Sequence, residues 1–175
     1  MTDADKRVAF QGEAGANSDL ACREVFPDKQ SLPCHLFEDA FAAVRDGEAN
    51  HALLPIDNTV AGRVADIHHL LPDSGLFIVG EHFQRVRHKL LAVRGTKLDQ
   101  LTHVHSHIHA LNQCRLRIQG LGLAPVVHAD TAGAAAEIAA KGDPTQAAIA
   151  SELAGEIYGL DLLQDGMEDA EHNTR

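Results

Sequence analysis

The segment THVHSHIHAL sets four imidazoles, His103, His105, His107 and His109, at alternate positions. Such a comb could bind zinc if it were one strand, because alternate side chains of a strand share a face. The residues that follow argue against this. Leu111, Cys114, Arg115 and Ile118 recur at helical spacing, so the strand is expected to end near His105 and a helix to begin near His107. His103 and His105 then share a strand face while His107 and His109 occupy a first helical turn and point apart. The set is read as capping, surface or active-site groups, and no metal centre is expected. His68 and His69 read in the same way as a half-exposed helical pair. Neither a Ser-His-Asp signature nor a phosphate-binding P-loop is present.

A different chemistry is suggested at four places where a strand gives way to a helix. Helix amino termini carry unpaired N–H groups and the positive end of the dipole, which suits anions. QGEAGANSD offers Gly12 and Gly15 for close backbone approach, with Asn17 or Ser18 as cap. PIDNTVAGR offers Asp57, Asn58 and Thr59 as capping types, with Gly62 to relieve crowding. HSHIHAL and HADTAGAA place Ser106 and Thr131 at the same kind of junction. Each alone is an ordinary cap; the four together suggest a polar cleft for an anionic small molecule.

The elements that must position these groups alternate along the chain. RVAF, CHLF, HALLPI, LFIVGEHF, KLLAV, LTHVH, APVVH and QAAIA read as extended. SDLACREVF, EDAFAAVRDG, VADIHHLL, HALNQCRLRIQG, TAGAAAEIAAKG and ELAGEIYG read as helices, stopped in turn by residues such as Pro27, Gly47 and Pro72. Such alternation predicts an α/β fold: mainly parallel sheets flanked by helices. A charge cluster at GEHFQRVRHK divides the chain into two lobes, residues 1–81 plus 168–175 and residues 82–167.

Composition limits the partners. With 15 Lys and Arg against 25 Asp and Glu the net charge is −10, which argues against nucleic acid or an anionic membrane as partner. Cys22, Cys34 and Cys114 form no Cys-x-x-Cys pair and suit reduced thiols. The amino terminus MTDADKRVAF lacks an apolar signal region, no run approaches the ~20 apolar residues of a membrane helix, and a cytoplasmic location is expected.

Taken together, FQGEAGANSDLA, FEDAFAAVRDGEANHALLPIDNTVAGRV, LFIVGEHF, VHSHIHALNQCR, DTAGAAAEIA, AAIASELAGEIYGL and the terminal NTR resemble the catalytic domain of prephenate dehydratase, in the family's order and over nearly the whole chain. The resemblance implies two α/β lobes like those of type II periplasmic binding proteins, an active site in the cleft between them, and conversion of prephenate to phenylpyruvate in phenylalanine biosynthesis. It implies a catalytic role for Thr174, in the family's Thr-Arg-Phe signature, and for Asn58, in a Pro-Ile-Glu-Asn segment whose Glu is Asp57 here. Ser18, Thr59, Ser106, His107, Gln113, Thr131 and Arg175 are the implied substrate contacts. The first glycine loop departs from the family pattern at Ala16 and Asn17. No cofactor or metal is called for. The expected partner is the small dicarboxylate prephenate, and the sequence leaves room for a homodimer. Family members continue past Thr-Arg into a regulatory ACT domain that binds phenylalanine. None of that lies in these 175 residues, so no phenylalanine inhibition through an ACT domain is expected, and the terminal motif is expected to fray. The competing readings are a non-catalytic module binding an amino acid or keto acid, and a metal-dependent hydrolase using the histidine-rich turn.

Overall fold

The structure is a computed structural model and describes residues 6–170 and 173–175. The described residues form two compact units. The first comprises the described part of Met1–Glu13, then Asn17–Arg85 and Asn173–Arg175. The second comprises Ala14–Ala16 and the described part of Val86–His172.

In the first unit, β1 (Arg7–Gln11), α1 (Asn17–Val25), β2 (Gln30–Cys34), α2 (Phe37–Arg45) and β3 (His51–Ala52) build a parallel sheet in the order β2-β1-β3. The central strand takes the most apolar run, so Val8, Ala9 and Phe10 are wholly buried. Ala9, Cys34, Ala40, Ala43 and Ala49 form a core of small side chains that lets α2 lie close to the sheet. The second strand differs from its expected position. It ends at Cys34 instead of running through CHLF, and it includes Pro33, which an edge strand tolerates because one side of its backbone faces no neighbour. Leu36 instead opens α2, its N–H donating to the Asp39 carboxylate at 3.0 Å. HALLPI forms a strand over His51–Ala52, and the Leu53 N–H adds a 2.9 Å bond to the Ala9 carbonyl. After it comes an unexpected hairpin of β4 (Asp57–Asn58) and β5 (Gly62–Arg63), and then α3 (Ala65–Leu70).

The second unit holds β6 (Lys89–Ala92), β7 (His103–His107), α4 (Ile108–Gln113), α5 (Arg115–Gly120), β8 (Ala124–His128), α6 (Thr131–Lys141), β9 (Gln146–Ala150), α7 (Glu152–Tyr158) and β10 (Asp161–Gln164). The sheet order is β10-β6-β9-β7-β8; β8, β7 and β9 are parallel, while β6 and β10 run antiparallel to their neighbours. Side-chain alternation sorts the core into two layers. Leu90, Ala92, Ala147 and Ile149 pack with Leu111, Cys114 and Ile118 of the α4–α5 side. Leu91, Ala148 and Ala150 pack with Ala132, Ala135, Ile138 and Ala154 of the α6–α7 side. This is the α/β architecture with mainly parallel, helix-flanked sheets that the sequence predicts. The three cysteines are buried and free. Among the described residues no helix is long and apolar enough to cross a membrane.

Candidate active site

In the first unit the chain's last residues are stitched to two of its loops. Thr59 N–H donates to the Thr174 carbonyl at 2.9 Å, and Thr174 N–H donates back to Thr59 Oγ1 at 3.0 Å. Arg175 and Gln84 exchange two backbone bonds, each 2.8 Å, beside an antiparallel bridge between Arg85 and Thr174. The expected fraying is therefore countered by four hydrogen bonds on a short segment. Thr174 is half-buried, and its own hydroxyl has no hydrogen-bond partner among the described residues.

Asn58 lies next to Thr59 at the tip of the β4–β5 hairpin. Its Oδ1 accepts the N–H groups of Val60 at 2.9 Å and Ala61 at 2.7 Å, a local turn of the kind asparagine favours. This fixes which end of the amide faces the turn, so the NH2 end is the one left to donate outward. Asp57 is exposed, and its carboxylate accepts the Asn58 N–H at 2.7 Å. The pairs Asn58–Thr59 and Thr174–Arg175 are far apart in the sequence, and the structure joins them through the Thr59–Thr174 hydrogen bonds. Arg175 is half-buried, and desolvation lowers its guanidinium pKa while leaving it charged at neutral pH. Arg63, the other cation of this hairpin, is exposed. Ser18 sits buried in the first turn of α1, with Asp19 beside it gripping Arg23 at 3.0 Å. Burial, with the Asp19 charge adding to it, pushes the Cys22 thiol up to about 12, so it is an inert core thiol.

In the second unit the parallel strands β8, β7 and β9 deliver their carboxyl ends to the starts of α6, α4 and α7. The strand expected to stop near His105 continues through His107, because its pairing with β8 persists to His107 opposite His128. His103, His105 and His107 thus alternate along one strand, yet each has its own neighbour. His103 Nδ1 meets Thr102 Oγ1 at 2.8 Å, and His105 Nε2 meets Gln146 Oε1 at 2.7 Å. His107 Nδ1 accepts the His109 N–H at 3.3 Å and caps α4. Among the described residues no three His, Cys, Asp or Glu side chains are grouped to hold a metal ion.

Ser106 is fully buried and its hydroxyl donates to the Ile149 carbonyl at 2.6 Å, tying β7 to β9. Gln113 ends α4; its Oε1 lies 2.9 Å from Nε2 of the buried His88. Burial lowers the His88 pKa, partly offset by the Gln113 bond and the Glu168 charge, which favours the neutral ring; in the tautomer with its proton on Nε2 it donates to Gln113. That bond would turn the Gln113 NH2 away from His88. Thr131 opens α6, but the cap is Asp130, whose Oδ1 accepts the Gly133 N–H at 2.6 Å; the half-buried Thr131 hydroxyl has no partner among the described residues. Lys89, which follows His88 in the charge cluster GEHFQRVRHK, is buried and held 2.6 Å from Asp165.

Gly15 does not leave room for a ligand. It packs on α7, where a Cβ would stand 2.8 Å from Ala154 Cα, and its φ is +87°. Its carbonyl accepts the hydroxyl of Ser151, the buried cap of α7, while Tyr158 Oη donates to the Ala14 carbonyl at 2.9 Å. Reasoning from sequence missed His88, Asp130, Ser151 and Tyr158. Asp130 and Ser151 had a signal, a capping residue just before an apolar helix; His88 and Tyr158 had none.

Each of the two helix-flanked α/β units bears polar donors, amide, hydroxyl or guanidinium, at loop and helix ends. The model of the prephenate dehydratase family matches residues 8–175, and the chain belongs to that family. A bifunctional N-acyl-homoserine lactone acylase/prephenate dehydratase of Komagataeibacter europaeus is 51% identical over 98% of this chain. Arogenate dehydratase 1 of Petunia hybrida is 44% identical over 99% of it. The crystal structure of Arthrobacter aurescens prephenate dehydratase in complex with L-Phe superposes with a TM-score of 0.87 at 27% identity, covering 96% of this chain and 58% of that one. The chain spans 61% of the Komagataeibacter protein and 42% of the petunia one.

Proposed function

We propose that this chain catalyses the decarboxylating dehydration of prephenate to phenylpyruvate. The C–C bond to the ring carboxylate breaks and releases CO2, its electron pair enters the ring, and the C–O bond to the ring hydroxyl breaks on the far side. The departing oxygen takes up one proton and leaves as water. Aromatisation drives the step once that oxygen is stabilised, so no redox partner is needed. The observation that carries the reading is the Thr174 hydroxyl, without a partner among the described residues on a backbone fixed from both sides, next in the network to Asn58. Thr174 donates a hydrogen bond to the leaving oxygen, and the Asn58 NH2 and the Arg175 guanidinium hold a carboxylate. Thr59 acts chiefly by holding Thr174.

Ser18, Ser106, His107, Gln113 and Thr131 serve the same reaction in different ways. Thr131 and Gln113 present donors, whereas Ser106 and His107 set the end of β7 and the start of α4. Attraction over long range is not required of an acidic protein, since charges separated by more than ~10 Å are screened at moderate salt.

A second reading is N-acyl-homoserine lactone hydrolysis, favoured by the double name of the relative with 51% identity. One experiment addresses both. The protein is mixed with prephenate, arogenate or an N-acyl-homoserine lactone, with and without chelator, and phenylpyruvate, phenylalanine or free homoserine lactone is measured. Phenylpyruvate formation that chelation leaves intact supports the dehydratase. Prephenate binding with no product supports a non-catalytic binding module, and release of free homoserine lactone by amide hydrolysis alone supports the acylase.

A further inference from the structure

His88 stands immediately before β6 and is 3% exposed, so its imidazole lies inside the second unit. Both of its main-chain groups are taken. Its N–H donates to a Glu168 carboxylate oxygen at 3.0 Å, and its carbonyl accepts the Met167 N–H at 3.0 Å. Asp169, the next residue of the same strap, donates its N–H to the Gln113 carbonyl at 2.7 Å. The Asp169 carboxylate accepts the Leu116 and Arg117 N–H groups, at 2.9 and 3.3 Å, where α5 starts. The strap of residues 167–169 therefore grips His88 and Gln113 together, and their side chains meet with Nε2 2.9 Å from Oε1. The other ring nitrogen, Nδ1, is buried with no hydrogen-bond partner among the described residues. As a purely stabilising group the imidazole is unfavourable, because a buried polar atom without a partner costs more than one neutral hydrogen bond returns. An apolar side chain of similar size would fill the space without that cost.

We propose that His88 is a positioning residue for the dehydration, holding the Gln113 amide by its oxygen so that the NH2 end is the one given to substrate. The inference rests on the dehydratase reading and deepens it. The two ends of a glutamine amide are alike in shape and opposite in hydrogen bonding. Prephenate offers carboxylate and keto oxygens, which only accept, so the amide binds them through its NH2 and repels them through its carbonyl. Left to itself the amide turns over readily, since the last torsion of glutamine is broad and roughly two-fold. An Nε2–H beside Oε1 removes that freedom, because the turned amide would set NH2 against N–H, two donors face to face. With the ring proton on Nε2, the buried Nδ1 is a bare lone pair and not an unmet N–H. Drift of the two side chains apart is opposed as well, since it requires breaking the main-chain bonds that residues 167–169 make to both. His88 thus acts on substrate through Gln113 and need not touch it.

The test is steady-state turnover and calorimetric binding of prephenate by the 175-residue chain and by His88→Met, His88→Gln, Gln113→Ala and the double variant His88→Met/Gln113→Ala. His88→Met should raise KM and Kd roughly tenfold, near the lower end of what a hydrogen bond to a charged group is worth. Its kcat should stay within about twofold, because a group that grips substrate and transition state alike shows in KM. His88→Gln returns an N–H donor and should recover most of the loss. In the Gln113→Ala background, His88→Met should change KM by less than about twofold, since no amide is left to orient. An equal loss in both backgrounds, or a fall in kcat and melting temperature at unchanged KM, would make the ring structural only and overturn the proposal. If the wild type binds prephenate and forms no phenylpyruvate, the dehydratase reading fails, and the same comparison of Kd values still decides the role of His88. A wild type that neither binds nor converts prephenate overturns both. A long-range 1H–15N spectrum of the ligand-free chain needs no substrate: His88 should carry its proton on Nε2, and a neutral ring protonated on Nδ1 would overturn the proposal.

Discussion

Thr59→Val exchanges the hydroxyl that accepts the Thr174 N–H at 3.0 Å for a methyl group of nearly the same shape, and leaves the Thr59 N–H to Thr174 carbonyl bond in place. A neutral hydrogen bond is worth about 0.5–1.5 kcal/mol net. Thr59 is exposed, so water can replace the lost acceptor and the stability cost falls in the lower half of that range. At roughly 2–4 °C per kcal/mol for a chain of this size, the melting temperature should drop by about 1–4 °C. Turnover should suffer more visibly. If Thr174 leaves its productive pose by the same free energy, kcat falls roughly 2- to 5-fold, taking tenfold per ~1.4 kcal/mol. The assay is steady-state conversion of prephenate by wild type, Thr59→Val and Thr59→Ser. Serine keeps the acceptor and should restore kcat. A raised KM at unchanged kcat in the valine variant would mean that Thr59 touches substrate instead of holding Thr174, and would refute the reasoning.

Other positions give equally direct expectations. Gly15→Ala forces a side chain into a left-handed backbone and against Ala154, which should cost about 2–4 kcal/mol in urea unfolding; a loss below about 1 would contradict the packing. Ser106→Ala leaves the buried Ile149 carbonyl short of its 2.6 Å donor and should cost about 1–3 kcal/mol by the same measurement, whereas a neutral outcome would place the hydroxyl outside the core. His88 has its pKa lowered in the folded chain, so below its ordinary value near 6.5 the unfolded chain binds the proton that the buried ring resists. Its contribution is therefore complete above that pH and is lost as pH falls, by at most ~1.4 kcal/mol per pH unit. His88→Asn should flatten the pH dependence of stability between pH 5 and 6.5, and an unchanged slope would exclude the ring as its source.

The elements legible in the sequence are those whose side-chain period is set by one clear surface. Val8–Phe10, the alanine-rich α6 and the QAAIA strand each bury a continuous or strictly periodic apolar set, and they form where expected. The departures arise where tertiary pairing overrides local pattern. β7 runs on to His107 because β8 pairs with it that far, although its own residues alternate imidazole with apolar or small groups. The helix expected as one piece breaks at Cys114, whose φ of −113° and ψ of 13° lie outside the helical region. β2 starts earlier and stops at the first residue of CHLF because Pro33 is acceptable at a sheet edge, a fact no local window contains. The Asp57–Arg63 hairpin is four paired residues long, too short for a periodic signal, yet it carries Asn58. Of the site, the residue types at strand-to-helix junctions were legible from capping chemistry. The pairing of Thr174 with Thr59, 115 residues away, and the support of Gln113 by His88 were not, because each depends on contacts between distant segments.

The central claim is that the hydroxyl of Thr174 assists the departing oxygen of prephenate, and it is tested most directly by single-turnover conversion of prephenate with Thr174→Ala and Thr174→Ser. The alanine variant should lose about 100-fold or more in rate with an unchanged circular dichroism spectrum and melting curve, and serine should keep most of the activity. An alanine variant within about threefold of wild type would contradict the account.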